Sequence, residues 1–285
     1  MAQVDITPIQ EEHLREVGEF LNVHLNSKFS ADAWIQSLTH PWSATRPNYG
    51  AQLRDGAKLV GVHCAIYSDQ TIEGRVEKFC NPHTWCVLGD YRNHGIGLVL
   101  YLIKQRGYHF TMLTPNPKVA EIFRKLKFKD LDTGIAVFFN LPTLRIRREV
   151  IVESDKASIA QYLPPAVRRD YELHREIPWL RFLAFGRGED VCLVVYKTDR
   201  WKRMSCARII HVSDPAVFDR YLPLMRHHLM MREKLVVSRI ETRFMQKGPW
   251  PVYRMVRTQG KLKLSPTLRD SQIADLYSEL ASLDI

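Results

Sequence analysis

Apolar residues recur at helical spacing near the start of the chain. Leu14, Val17, Leu21 and Leu25 share one face of a segment from Ile9 to Leu25, and Ser30 offers a cap for a second helix reaching Leu38. The spacing predicts two helices ahead of any sheet. After a break between Pro41 and Pro47 the pattern becomes strand-like over Tyr49 to Leu53 and Lys58 to Tyr67, joined by the hairpin signal Asp55-Gly56. A further apolar run, Phe79 to Leu88, ends in Gly89-Asp90-Tyr91-Arg92. Ile96, Val99, Leu100 and Ile103 then fit one helix face, and Tyr108 to Leu113 returns to strand. Asn116 and Pro117 open a helix whose apolar face is Val119, Ile122, Phe123 and Leu126, and Phe128 to Phe139 closes with strand character.

Leu141-Pro142 begins a basic connector, Arg145 to Arg148, which places a domain boundary between residues 142 and 143. Beyond it a similar order recurs. A helix is expected at Lys156 to Tyr162 and strands at Trp179 to Phe185, Val191 to Tyr196 and Met204 to His211. A helix from Pro215 to Lys234 precedes strands at Leu235 to Met245 and Val252 to Thr258. The expected fold class is therefore α/β, of the mixed α+β kind, as two domains, 1–142 and 143–285, related as a structural repeat without visible sequence identity.

The segment Arg92-Asn93-His94-Gly95-Ile96-Gly97 joins a strand to a helix. Such a junction directs unpaired backbone N–H groups and the positive end of a helix dipole at one point, which is an anion site. Glycine there would let a pyrophosphate approach the backbone, Arg92 adds a cation, and Asn93 and His94 are polar residues that tolerate a turn. An ordinary strand-to-helix turn reads the same way when seen alone.

Element order supplies the context. Arg92 to Gly97 resembles the Q/R-x-x-G-x-G/A loop of the GCN5-related N-acetyltransferase (GNAT) superfamily. Asn116 to Phe128, NPKVAEIFRKLKF, is similar to its N-x-x-A-x-x-L-Y-x-x-x-G-F segment, and WCVLGDYR to the strand and approach before the loop. The resemblance spans Ile6 to Asn140. It implies a GNAT-like acyltransferase fold using acetyl-CoA or a longer acyl-CoA. The thioester carbonyl would lie against a splayed strand at Trp85, Cys86, Val87 and Leu88, the pyrophosphate on Asn93 to Gly97, and Asn116 beside the cofactor. A thioester needs no covalent enzyme intermediate when an amine is aligned with it and the oxyanion meets a fixed N–H.

Two positions depart from that pattern. Phe123 stands where the family has tyrosine, the acid for the departing thiolate, and Lys127 replaces the glycine before the final Phe. For a general base, alternation puts Asn81, His83, Trp85 and Val87 on one strand face, with His83 as the candidate and Glu77 and Glu73 as alternatives. His83 is equally readable as a histidine satisfied at a strand end. Cys86 falls near the expected thioester but reads as a buried strand thiol.

In the second half the corresponding join is His211-Val212-Ser213-Asp214-Pro215. It has no glycine and a self-capping acid, so that half reads as a degenerate GNAT-like lobe unable to hold CoA in the same way. Charge adds one distinction. Of the net +10, nine come from Arg145 onward, where 26 Lys and Arg face 17 Asp and Glu. Arg168-Arg169 and Trp201-Lys202-Arg203 could contact an acidic acceptor or an acyl carrier protein, and no nucleic-acid recognition motif accompanies them.

The expected activity is acyl transfer to an amine of a small molecule. The alternatives are a non-catalytic acyl-CoA binder, or a transferase whose donor is a carrier protein. The five cysteines, Cys64, Cys80, Cys86, Cys192 and Cys206, are too far apart for a zinc site, so no metal is expected. His227-His228 read as surface histidines. No leader-like or membrane-length apolar run is present, and a cytoplasmic protein is expected.

Overall fold

The computed structural model describes residues 4–143, 150–246, 253–255 and 260–285. The chain forms two compact units. One comprises Met1–Asp130, Lys261–Leu268 and Tyr277–Ile285, the other Leu131–Gly260 and Arg269–Leu276.

In the first unit a strand that alternation does not reveal, β1 (Val4–Pro8), precedes helices α1 (Leu14–His24) and α2 (Ala31–Leu38). The expectation of two helices before any sheet is corrected: β1 is half-exposed and gains its place by pairing with β2 (Gly50–Asp55). Ser30 caps α2 as expected, accepting from the Ala33 N–H at 3.1 Å. β2 turns at Gly56 into β3 (Lys58–Ile72), which folds back through Glu73-Gly74 into β4 (Arg75–Val87). Helix α3 (Gly95–Ile103), β5 (His109–Met112), α4 (Pro117–Lys125) and the two-residue β6 (Lys129–Asp130) come next. Leu98, Leu102 and Phe123 from α3 and α4 are buried against Val60, Tyr67, Cys80 and Phe110 of the sheet.

The second unit opens with β7 (Ile135–Phe139) and β8 (Ile151–Glu153), then α5 (Pro165–His174), β9 (Arg181–Arg187), β10 (Asp190–Trp201) and β11 (Met204–Val212). Helix α6 (Pro215–Met231), β12 (Val237–Glu241) and β13 (Tyr253–Met255) complete it. The expected helix at Lys156 to Tyr162 is a 3-10 turn, Ile159–Tyr162, and α5 lies where the apolar spacing predicts no helix. The chain then returns to the first unit with β14 (Leu262–Leu264) and α7 (Glu279–Ser282). The connector Arg145 to Arg148 and the ends of the expected strand Val252 to Thr258 lie outside the described residues.

The two sheets have the same plan. One runs β1-β2-β3-β4-β5-β14-β6 and the other β8-β9-β10-β11-β12-β7-β13. In each, the fourth and fifth strands pair in parallel and the others antiparallel. The sixth place in each is filled by a segment from beyond the expected boundary, β14 in the first and β7 in the second. Division of the chain at 142/143 therefore differs from the units observed. Phe128 to Phe139 does not close the first sheet, because Ile135–Phe139 pairs with β12 and β13. All five cysteines are buried free thiols. Among the described residues, no helix is long and apolar enough to cross a membrane.

Candidate functional site

β4 pairs with β3 along its whole length but with β5 only at Phe79 opposite His109 and Cys80 opposite Phe110. There the two parallel strands part. The Asn81 amide marks the parting, donating to the Thr111 carbonyl at 2.9 Å and to the Thr111 hydroxyl oxygen at 3.2 Å. From Asn81 to Val87 no described strand pairs with the β5-facing edge of β4, so backbone N–H and C=O groups on that edge are available to a ligand.

A bulge lies within this stretch. His63 pairs with Trp85 and Cys64 with His83, leaving Thr84 as the extra residue, at φ 56°. A β-branched residue in the left-handed region is strained, and such strain concentrates where function requires it. The bulge also corrects the expectation that Asn81, His83, Trp85 and Val87 share a face. Trp85 and Val87 join the cluster beneath α3 and α4, whereas Asn81 and His83 sit opposite Ile66 and Cys64 on the other face. Period-two alternation fails across a bulge because one residue is added to one strand only.

Buried polar atoms gather here. Both ring nitrogens of His63, Nε2 of His83, Nε1 of Trp85 and Oδ1 of Asn81 have no hydrogen-bond partner among the described residues. His83 Nδ1 bonds the Thr84 hydroxyl. Burial pushes both His63 and His83 down to about 3, with the neighbouring His83 adding to the effect on His63. Both are neutral near pH 7. Strand alternation along β4 does not point to His63, although a histidine in the apolar run LVGVHCAIY is a signal that could find it.

At the end of β4, Gly89–His94 winds as a 3-10 helix directly into α3. Its winding uses donors that an open loop would present: the Tyr91 N–H donates to the Leu88 carbonyl and the Gly95 N–H to that of Arg92. Arg92, Asn93 and His94 are exposed, and the Tyr91 hydroxyl donates to Asp55 at 2.6 Å. The glycines are needed for a different reason from the one expected. Neither has a positive φ. A Cβ on Gly97 would come within 2.5 Å of Ile6 Cδ1, and one on Gly95 within 3.3 Å of the Trp85 ring. Both glycines let α3 lie close on the sheet.

On α4, the Asn116 side-chain oxygen caps the helix by accepting from the Val119 N–H at 3.0 Å, which commits that atom to the fold. Phe123 is fully buried, with its ring 4.9 Å from that of Phe128 and nearly perpendicular to that of His63 at 6.2 Å. The helix ends in a Schellman motif: the Phe128 N–H reaches the Phe123 carbonyl and the Lys127 N–H that of Arg124. Lys127 takes φ 69°, the conformation that a glycine would adopt without cost.

Other expected residues lie apart from the strand divergence. Glu77 is on the paired part of β4, 3.1 Å from His109 Nε2, and six residues from His83, or about 20 Å along a strand. Glu73 sits at the hairpin tip with φ 50°. Cys86 is buried on the face of Cys64, and burial raises its thiol. His227 and His228 are partly buried rather than on the surface. His227 Nδ1 accepts from the Thr143 N–H, and His228 lies 3.7 Å from Glu233.

In the second unit, Asp214 accepts from the Ala216 and Val217 N–H groups at 2.8 and 2.9 Å, and Pro215 occupies the first turn. The start of α6 is thus closed by its own cap.

No model of a protein family matches the sequence, and no curated protein does. Solved structures do match. A GCN5-related N-acetyltransferase from Anabaena variabilis superposes with a TM-score of 0.57 over 92% of this chain and 72% of its own, at 11% identity. One from Kribbella flavida gives 0.57 over 92% and 70%, at 16% identity. A probable N-acyltransferase from Enterococcus faecalis gives 0.59 over 92% and 72%, at 10% identity. The fold is that of the GCN5-related N-acetyltransferases.

Proposed function

We propose that the protein is an acyl-CoA-dependent acyltransferase acting on an amine, with its chemistry in the first unit. The observation that carries this reading is the parting of β4 from β5 after Cys80, with the strained Thr84 bulge in the freed stretch and α3 starting beyond it. The orphaned polar atoms lie on both faces beside the freed edge, Asn81 and His83 on one and His63 and Trp85 on the other, as suits a polar ligand passing that edge. When bound, an acyl-CoA supplies an activated carbonyl. The free edge of β4 at Trp85 to Leu88 would hold that carbonyl in a fixed orientation, and Arg92 would meet the phosphates as a solvent-facing cation.

His83 is neutral and weakly basic, so its Nε2 accepts a hydrogen bond from an amine that arrives deprotonated but does not draw a proton from an ammonium ion. The rate should then rise with pH as the acceptor amine deprotonates, with no inflection near 6.5. Such an inflection would show that His83 titrates in the working enzyme. In the second unit α6 is closed by Asp214, and Arg168 and Arg169, both exposed on α5, offer cations to an acidic partner.

A second reading, binding of acyl-CoA without transfer, is favoured by two observations. Phe123 is buried and has no hydroxyl, and the loop donors are engaged in 3-10 winding. Calorimetry with CoA and acetyl-CoA, followed by thiol release against a panel of amines, separates the two. Binding with release supports transfer, binding without release supports the second reading, and no binding removes both.

A further inference from the structure

We infer that His63 is a hydrogen-bond donor to the sulfur of the co-substrate, acting in the place that a hydroxyl on residue 123 would otherwise fill. The inference rests on the acyl-CoA reading above. His63 has no exposed surface, and neither ring nitrogen has a partner among the described residues. A neutral imidazole carries one N–H and one lone pair, and leaving either unmet in a buried site costs the fold its desolvation without return. A position that served packing alone would be better filled by an aliphatic or phenyl side chain. The unmet pair therefore marks a group waiting for a partner that the chain does not supply.

Location identifies the partner. His63 lies opposite Trp85 in the β3–β4 pairing, and the two rings stack at 5.3 Å, tilted by 19°. On another side its ring stands nearly perpendicular to that of Phe123, with centroids 6.2 Å apart. It thus brings a polar ring between the strand whose edge is free and the α4 position, Phe123, that carries no hydroxyl. The other unpartnered donor on this face, Trp85 Nε1, is directed to the first turn of α3, 3.6 Å from where a Cβ of Gly95 would stand.

In the transfer, the amine nitrogen bonds to the carbonyl carbon and the carbon–sulfur bond breaks with its electron pair going to sulfur. The sulfur leaves as a thiolate that accepts the His63 N–H. His63 keeps its proton. The proton lost by the amine passes to water, and water protonates the thiolate, so charge and atoms balance without a second acid.

The test is calorimetry on the full chain with CoA and with desulfo-CoA, which carries hydrogen in place of the thiol, at pH 7 and pH 9. In the wild-type protein the preference for CoA should grow towards pH 9 as the thiolate forms. His63→Phe should weaken CoA binding about 10-fold at pH 9 and leave desulfo-CoA unchanged. His63→Val carries the same contrast if the phenylalanine variant does not fold. Equal losses for both ligands, or an unchanged preference for CoA, would overturn the role of His63 while leaving the acyl-CoA site standing. Failure of the wild-type protein to bind either ligand would instead remove the acyl-CoA reading, and this inference with it.

Discussion

The two units carry the same strand-to-helix junction in two states. In the first, β4 pairs with β5 at two positions and then parts from it, with Thr84 bulged. In the second, β11 pairs with β12 at Cys206, Ala207 and Arg208 before its last stretch, and a register shift leaves Ile210 as the extra residue. The scaffold is repeated down to the bulge. Beyond the bulge the two junctions diverge. After β4 comes an exposed 3-10 segment bearing Arg92, whereas after β11 Ser213 and Asp214 are bound at once to the fold: the Ser213 hydroxyl accepts from the Leu193 N–H, and Asp214 caps α6. Around the first bulge both ring nitrogens of His63, Nε2 of His83 and Nε1 of Trp85 are unpartnered among the described residues, and beside the second bulge so is Nε2 of His211. A common frame can thus leave the segment before its helix exposed or cap that helix at once, according to a few side chains at one join.

The largest expected effect is acid sensitivity, which buried His63 and His83 give the first unit and, in the same direction, His211 gives the second. His63 and His83 titrate at about 3 in the folded chain against 6.5 when unfolded, so below pH 6.5 the unfolded chain takes up protons that the fold refuses. Stability is full above pH 6.5 and falls as the pH drops towards 3, by roughly 1.4 kcal/mol per pH unit for each histidine once below 6. Hydrogen exchange followed from pH 7 to 4.5 should show β3 and β4 losing protection. Protection that does not change with pH would mean that these histidines are solvated.

Gly97→Val tests what the glycines do. The new side chain meets the terminal methyl of Ile6, which can shift, so the cost should appear as about 1 kcal/mol of stability or less in urea melts. A folded, equally stable variant that lost CoA binding would restore the expectation that Gly97 clears space for phosphate.

Asp214→Ala should cost about 1 kcal/mol through loss of the α6 cap and should not create a second CoA site. Thermal melts with and without CoA read both parts. The smallest effect concerns the end of α4: Lys127→Gly should stabilise by somewhat under about 1 kcal/mol by relieving the positive φ, offset in part by the entropy of glycine in the unfolded chain. A lower melting temperature would show that the Lys127 side chain contributes more than its backbone costs.

Local chemistry is legible in the sequence wherever neighbours decide the outcome. Asn116-Pro117, Ser30 and Asp214-Pro215 announce their helices because a cap needs only the next three residues, and Asp55-Gly56 announces its hairpin for the same reason. Pairing at long range is not legible. Nothing in Leu262–Leu264 says that it lies between β5 and β6, and nothing in Ile135–Phe139 says that it leaves the helix and strand before it for another sheet. The site is half legible. The strand, loop and helix fall where the sequence puts them along the chain, but one inserted residue, Thr84, reverses which side chains share a face, and a bulge has no reliable mark in a single sequence.

Calorimetric titration of the whole chain with CoA, repeated with Arg92→Glu, tests the central claim most directly. The account predicts one CoA per chain, bound at the junction of β4 and α3, and a loss of affinity of about 10-fold or more when the exposed cation of that junction is reversed. Two molecules per chain, or one whose affinity does not respond to Arg92→Glu, would place the ligand elsewhere and contradict it.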